Sequence, residues 1–298
     1  MKVVKLKGGL GNQMFQYAFA VLLKQLTGEE VFLDYSYFDA VKGDSIRIPR
    51  IEKFMLTIPK ANISRIKEVC WMNHNEAHGN RPTLKYKLWL GIESVFNQKY
   101  YLEKNRAYIN PEMITKYRYF DGYWQSWRYV EAVKDYIKNE FTPCYDLGSK
   151  TLVCQRKMQN ENSVFIGVRR GDYGEEQEHY GSFGIGYYKR AMQEISKKIE
   201  NPTFYIFSND IPWCKENFDS LGYKVIYRYP EDQIDDFEEL MLMKSCKHAI
   251  IVNSTFNWWG AYLIDNPEKI ICCPEKWFFD DKPIDIIPDG WMRIKNEV

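Results

Sequence analysis

The sequence has no excess of either charge: 41 Lys and Arg stand against 40 Asp and Glu, a formal net charge of +1. A protein that neutralises a nucleic-acid backbone needs a basic excess or a Lys/Arg stripe along one helix, and neither is present. There is no uninterrupted apolar run of the roughly 18–20 residues that a membrane helix requires. Cysteine is sparse in pattern: Cys70, Cys144, Cys154, Cys214, Cys246, Cys272 and Cys273 form no C-x-x-C pair, and the last two are adjacent. An odd count with such spacing argues against a disulfide framework or a zinc site and fits a reducing compartment. His74 and His78 stand four residues apart, but Glu76 is displaced from the metalloprotease pattern and no third ligand is evident. Asp-x-Asp is absent as well; Asp235-Asp236 and Asp280-Asp281 are adjacent pairs. Sugar transferases that hold Mg²⁺ or Mn²⁺ on a diphosphate use carboxylates spaced in that way. The first strand begins within a few residues of Met1, which leaves no room for a signal peptide. The expectation is a cytoplasmic protein that needs no metal, peripheral to the inner face of a membrane where its partner is anchored there.

What is present suits two domains. The chain has 298 residues and an apolar fraction of 45%, enough for two cores of about 150 residues each. We place the boundary between residues 1–150 and 151–298, with the stretch Pro143 to Asn162 as the link. Tyr and Trp are abundant, but their rings fill cores as readily as they line sugar sites, so composition alone decides nothing.

The first 35 residues read strand (Val3 to Leu6), glycine turn (Lys7 to Gln13), helix to about Thr27, and strand (Val31 to Leu33). Phe15, Ala18, Phe19, Leu22 and Leu26 recur at helical spacing, and Gly28 stands where a helix stops. Residues 36 to 150 are less regular, with helices expected at Ile63 to Trp71 and Trp127 to Phe141. The second half alternates cleanly. Short apolar strands at Val164–Val168, Thr203–Phe207, Lys224–Tyr227, Ala249–Val252 and Lys269–Cys273 are separated by helical patterns at Tyr187–Ile199, Asp235–Cys246 and Asn257–Ile264. That alternation predicts a parallel, doubly wound α/β sheet, which binds ligands beyond the carboxyl ends of its strands.

Three segments follow such strand ends. Gly8-Gly9-Leu10-Gly11-Asn12-Gln13 is a glycine turn into a helix, without the Gly-Lys-Ser/Thr ending of a P-loop or the dinucleotide spacing. As glycines alone it reads as a tight turn; the Asn12-Gln13 pair raises a binding role. Arg169-Arg170-Gly171-Asp172-Tyr173 follows Val164–Val168. Two arginines at a strand end are costly unless they meet anions, and neighbours in an extended chain face opposite ways. One arginine therefore reaches a ligand while the other pairs with Asp172 to hold the loop. Asn253-Ser254-Thr255-Phe256 precedes a helix, where hydroxyls and free amides cap the helix and can also seat an anion. Trp258 and Trp259 lie inside that helix and read as core.

Taken together these segments resemble the α-1,2-fucosyltransferases of glycosyltransferase family 11. Gly8 to Tyr17 is similar to the family's N-terminal signature, Gly122-Tyr123-Trp124-Gln125-Ser126 to its central one, and Arg169 to Tyr173 and Cys246 through Trp259 to its donor-site motifs. The resemblance implies a GT-B fold, two Rossmann-like domains facing across a cleft, with the acceptor on the N-terminal side. It implies inverting, metal-independent transfer of L-fucose from GDP-fucose to the 2-hydroxyl of a galactose-containing oligosaccharide or glycolipid, and no cofactor. Arg169 would meet the diphosphate or the glycosidic oxygen, with Arg170 beside it; Ser254, Thr255 and Phe256, after Asn253, would contact the phosphates. Asn12, between Gly9 and Gly11 and the helix, would approach the donor. Glu239 stands where such enzymes place a carboxylate for guanine, a place Asp fills more often. The base that collects the acceptor's proton is open among Asp172, Glu175, Glu176 and His179. The family commonly has His where this chain has Gly167, which implies a more open pocket there. The alternatives are another metal-independent sugar transferase, a protein O-fucosyltransferase among them, or a non-catalytic protein that binds glycans or sugar nucleotides.

Overall fold

A helix whose residues are apolar on nearly every side has to be enclosed, and the N-terminal one is. In the computed structural model, which describes residues 1–40, 48–70, 88, 91–92, 99–170, 183–228, 235–279 and 283–296, helix α1 (Leu10–Thr27) buries every residue from Gln13 to Leu23. The five-residue stripe is thus too narrow a description, and its last member, Leu26, is 40% exposed. Gly28 ends the helix at φ 64°, donating its N–H to the Lys24 carbonyl at 2.9 Å.

The chain divides into two compact units, Met1–Cys144 with Pro283–Ile286, and Tyr145–Lys282 with Ile287–Val298. In the first unit β1 (Lys2–Lys5), β2 (Val31–Asp34), β3 (Tyr100–Leu102) and β4 (Tyr119–Asp121) form a parallel sheet in the order β2-β1-β4-β3. Helices α2 (Ser36–Ala40), α3 (Ile63–Val69), α4 (Trp127–Glu131) and α5 (Lys134–Glu140) complete the described helices of the unit. The single helix expected from Trp127 to Phe141 is two: the Val133 N–H bonds the Val130 carbonyl at 3.1 Å, tightening the chain between them. The expected stripe survives the break, since Val130, Val133, Ile137 and Phe141 are all buried.

The second unit opens with α6 (Ser149–Asn160), which occupies most of the stretch expected to be a link. There follow β5 (Ser163–Val168), α7 (Ile185–Ser196), β6 (Thr203–Ser208), α8 (Ile211–Phe218), β7 (Lys224–Arg228), α9 (Asp236–Met243), β8 (His248–Ile250), α10 (Thr255–Tyr262), β9 (Ile271–Pro274) and β10 (Met292–Ile294). All described strand pairs are parallel, in the order β10-β9-β8-β5-β6-β7. The doubly wound sheet is as expected, extended by β10 and with α8 between β6 and β7. Val164, Ile166, Phe204, Ile206 and Ile250 form one buried cluster with Tyr187, Ala191, Met192 and Ile195 of α7.

The second sheet reverses its winding once, between β5 and β8; in the first the chain runs from β1 out to β2, across to β3 and back to β4, so that the winding changes direction twice and the strand order breaks at a reversal spanning β1 and β4. At such a point the connections leave the sheet toward opposite faces and open a crevice beyond the strand ends. All seven cysteines are free. Among the described residues no helix is long and apolar enough to cross a membrane.

Candidate functional site

The two segments that flank the β5/β8 reversal are those that follow β5 and β8: Arg169-Arg170, and Asn253-Ser254-Thr255-Phe256. Asn253 and Ser254 are each 5% exposed. Ser254 is the N-cap of α10; its Oγ accepts from the Asn257 N–H at 3.4 Å, and its carbonyl from the Trp258 N–H at 2.9 Å. The first turn of α10 carries no acidic residue, so the positive end of its dipole is uncompensated from within the helix. Trp258 and Trp259 are fully buried, as core residues.

Strand alternation decides which arginine belongs to this seat. Phe165 and Gly167 lie on one face of β5, and continuing the alternation brings Arg169 to that face. Helix α10 packs on it. A Cβ built at Gly260 would stand 3.3 Å from Phe165 Cζ, and one built at Gly167 would stand 2.6 Å from Asn257 Nδ2 and closer still to Cγ and Oδ1. The helix therefore runs back along the strand, and its N-terminus at Ser254 lies toward the Arg169 end. Arg169, the residue after β5, and the helix N-terminus thus belong to the same end of this face, two positive groups suited to a phosphate.

Arg170 faces elsewhere. Its Nε is 3.5 Å from Asp210 Oδ2, and its guanidinium lies over the Trp213 ring at 4.0 Å. Its backbone is clamped by Asn209, which accepts the Arg170 N–H at 3.0 Å and donates to the Arg170 carbonyl at 2.6 Å. The loop-holding arginine thus pairs with Asp210 after β6. Asp172, the expected partner, lies outside the described residues, as do Glu175, Glu176 and His179. Gly167 also departs from expectation: the space vacated by a side chain is not open but filled by the Asn257 carboxamide.

Glu239 sits on α9, whose N-cap Asp235 accepts from the Glu238 N–H at 2.9 Å. Burial first, and then the charge of Asp236, push its carboxyl up to about 7, against the pull of Arg228.

The β1/β4 reversal of the first unit is built differently. Gly8, at φ 78°, makes a turn that other residues adopt only with strain. Gly9 is the N-cap of α1, and Gly11 and Asn12 lie in its first turn; the Asn12 and Gln13 N–H groups both bond the Gly9 carbonyl, at 3.0 and 3.1 Å. Asn12 Oδ1 accepts from Gln125 Nε2 at 2.9 Å, joining the N-terminal and central motifs. Gln13, by contrast, is fully buried and structural: it donates to the Gly8 and Ile48 carbonyls, each at 3.0 Å, and accepts from the Ile51 N–H at 3.1 Å. Asp121, at the end of β4, receives Lys5 at 3.1 Å, Lys7 at 2.6 Å and the Tyr100 hydroxyl at 2.8 Å. Burial alone would raise this carboxyl, but the two lysines outweigh it and hold it well below the usual range. Trp124 has φ 56°, rare for a large side chain, and stacks on Phe19 with ring centroids 3.8 Å apart. Glu103 holds that turn by accepting the Tyr123 N–H at 2.6 Å and the Trp124 N–H at 3.2 Å. Glu103 lies outside every motif, and Lys7 and Asn257, although inside the glycine turn and the last motif, are given no role of their own by the sequence.

Among the described residues no group of three or more His, Cys, Asp or Glu side chains is placed to hold a metal ion. The sequence matches glycosyl transferase family 11 over residues 1–294. It is 29% identical over 306 residues to the O-antigen biosynthesis glycosyltransferase WbnK of Escherichia coli, spanning 97% of this chain and 99% of that protein. The alpha-1,2-colitosyltransferase of Escherichia coli is also 29% identical over 306 residues, spanning 98% of each. The fold matches the fucosyltransferase NodZ from Bradyrhizobium with a TM-score of 0.50 at 14% identity, over 90% of this chain and 94% of that one.

Proposed function

The chain belongs to glycosyl transferase family 11 and has the GT-B fold, and on that premise we propose that it transfers L-fucose from GDP-fucose to the 2-hydroxyl of a galactoside in the synthesis of a surface glycan. The observation that carries the reading is that Arg169 and the α10 N-terminus stand at the same end of β5, at the β5/β8 reversal. A sugar cation and a diphosphate separate in this reaction, so the largest need is to stabilise the leaving group. Arg169 and the amides around Ser254, Thr255 and Phe256 meet that need, binding the developing charge more tightly than the ground state. Glu239 takes the guanine N1–H and N2–H pair as a carboxylate, and Asn253 shapes the turn. Asp172 collects the acceptor proton, which gives inversion in one displacement. Asn12, held by Gln125, acts on catalysis rather than on nucleotide affinity.

The 1,2 linkage and the glycan setting are supported by the names of the two Escherichia coli relatives. One of those names favours a second reading, in which the donor carries colitose. Colitose lacks the 3-hydroxyl of fucose, so donor competition separates the two. Purified protein is given GDP-fucose and GDP-colitose with a panel of galactosides, and the product linkage is read by NMR. Faster turnover of GDP-fucose to an α-1,2 product supports the proposal; exclusive use of GDP-colitose replaces the donor, and nucleotide binding without turnover replaces the enzyme with a binding protein. Because a protein-built seat neutralises the diphosphate, the initial rate is expected to survive exhaustive EDTA treatment and gel filtration. A fall to background that Mn²⁺ restores would show that metal holds the diphosphate.

A further inference from the structure

Asn257 is 6% exposed, and its side-chain oxygen is buried without a hydrogen-bond partner among the described residues. A buried acceptor left unmade loses its hydration without recompense, so such atoms are rare and call for a reason. The neighbourhood supplies one. The carboxamide lies in the first turn of α10, over Gly167, one turn from the Ser254 cap and two residues before Arg169 on the same face of β5. It is the polar side chain that this helix end lays on β5, next to the strand end where Arg169 follows. We propose that Asn257 is a further binding residue of this seat, accepting a hydrogen bond from a sugar hydroxyl that flanks the diphosphate of the bound nucleotide sugar. Gly167 is the complement of that role, because any side chain at 167 would displace the carboxamide. A phosphate oxygen has no proton to give to Oδ1; a hydroxyl does. Two hydroxyl-bearing groups flank the diphosphate, the ribose and the transferred sugar, and the experiment separates them.

The proposal rests on the donor-site reading above. The test begins with calorimetric titration of the wild-type full chain with GDP, UDP and ADP. Preference for another nucleoside diphosphate would overturn the GDP reading alone, and the variants are then measured with that nucleotide and its fucosyl or colitosyl derivative. No affinity for any of the three would overturn both. Asn257→Leu keeps the approximate volume and removes the unmade acceptor. Its melting temperature without ligand is expected to equal or exceed that of the wild type, while affinity falls about tenfold, the size of one neutral hydrogen bond. A fall already seen with GDP assigns the ribose; a fall confined to GDP-fucose assigns the transferred sugar. Unchanged affinity for both ligands overturns the inference, whatever happens to stability. Should Asn257→Leu fail to fold, Asn257→Ala, which opens space, is read in the same two titrations with the same criteria. Gly167→Ala supplies the steric arm: it is expected to weaken binding alone and to regain the affinity of Asn257→Ala when combined with it. A double variant weaker than either single one would contradict the shared space.

Discussion

Each sheet breaks its strand order once, at β1/β4 and at β5/β8, and the two breaks are furnished differently. At the β1/β4 reversal most polar groups satisfy one another, Asn12 with Gln125, Asp121 with Lys5 and Lys7, and Glu103 with the amides of Tyr123 and Trp124, while Trp124 Nε1 is left without a partner among the described residues. At the β5/β8 reversal they do not. Asn257 Oδ1 has no partner among the described residues, and Glu239 is pushed up to about 7 by burial and by Asp236. A self-satisfied network fixes geometry before any ligand arrives, whereas unmet polar groups are costs that a ligand removes. The polar groups of the first crevice are therefore largely fixed by their own bonds, whereas on the proposal above Asn257 Oδ1 of the second is left for a ligand to satisfy.

The sharpest way to break the comparison is Asp121→Ala. It leaves Lys5 and Lys7 as uncompensated charges, and Lys5 is only 2% exposed. Removing one partner of a buried ion cluster costs about 3–5 kcal/mol, which we expect as a lower urea midpoint of the full chain. Because Asp121 is held low in the folded state, its contribution is present above the ordinary carboxylate range and fades as pH falls through that range toward the depressed value. Asp121→Ala with wild-type stability at neutral pH would show that the network is ornamental to the fold. In the second unit the matching change is Arg169→Ala, expected to lower kcat by about 10²–10³ with the melting temperature nearly unchanged. Arg169→Lys is expected to fail almost as badly, since a point charge lacks the planar fork. Near wild-type kcat in either folded variant would remove Arg169 from the chemistry.

A smaller effect sharpens the division. Asn12→Ala frees Gln125 and loses one hydrogen bond of the first crevice. We expect kcat to fall about tenfold with GDP affinity intact, and Ser254→Ala to weaken both. Equal losses of GDP affinity in the two variants would dissolve the distinction.

How far the sequence foretold this follows from the range of the interactions. The strands of the second unit were legible because each is a short apolar run between helical patterns, and their parallel order followed from that alternation. β3 and β4 escaped notice at three residues each, too short for periodicity to register. The split between α4 and α5 left the apolar spacing intact, so spacing could not reveal it. Arg169, Ser254 and Thr255 were legible because strand ends are where such sheets bind ligands. The Asn12–Gln125 bond joins residues 113 positions apart, and the filling of the Gly167 space joins strand β5 to helix α10; neither leaves a local pattern. The absence of a side chain at 167 read as an opening, when the close packing of α10 had closed it.

The mildest test concerns Glu239, where the cost of an unmet group becomes a pH dependence. Guanine offers two N–H donors, which a carboxylate accepts and a carboxylic acid cannot both accept. With the unliganded carboxyl at about 7, binding at lower pH must first expel a proton. GDP affinity is then flat well above that pH and declines below it, by about tenfold at pH 6. The shift is opposite to that of Asp121, because here burial favours the proton that the ligand removes, yet the effect on GDP affinity runs the same way and is lost as pH falls. GDP itself titrates near pH 6 through its terminal phosphate, at roughly the ordinary second phosphate pKa, so the wild-type curve alone is ambiguous. The difference from Glu239→Gln isolates the protein's share. Glutamine does not titrate, and its NH₂ opposes the guanine N2–H₂, so the variant is expected to bind more weakly at pH 8 with only the phosphate's slope below pH 7. Calorimetry in two buffers of different ionisation enthalpy counts the proton directly: about half a proton released per GDP at pH 7 in the wild type, and less in the variant. Identical pH curves for the two proteins would mean that Glu239 does not touch the base, and the seat of the second unit would then end at Arg169, the α10 cap and Asn257.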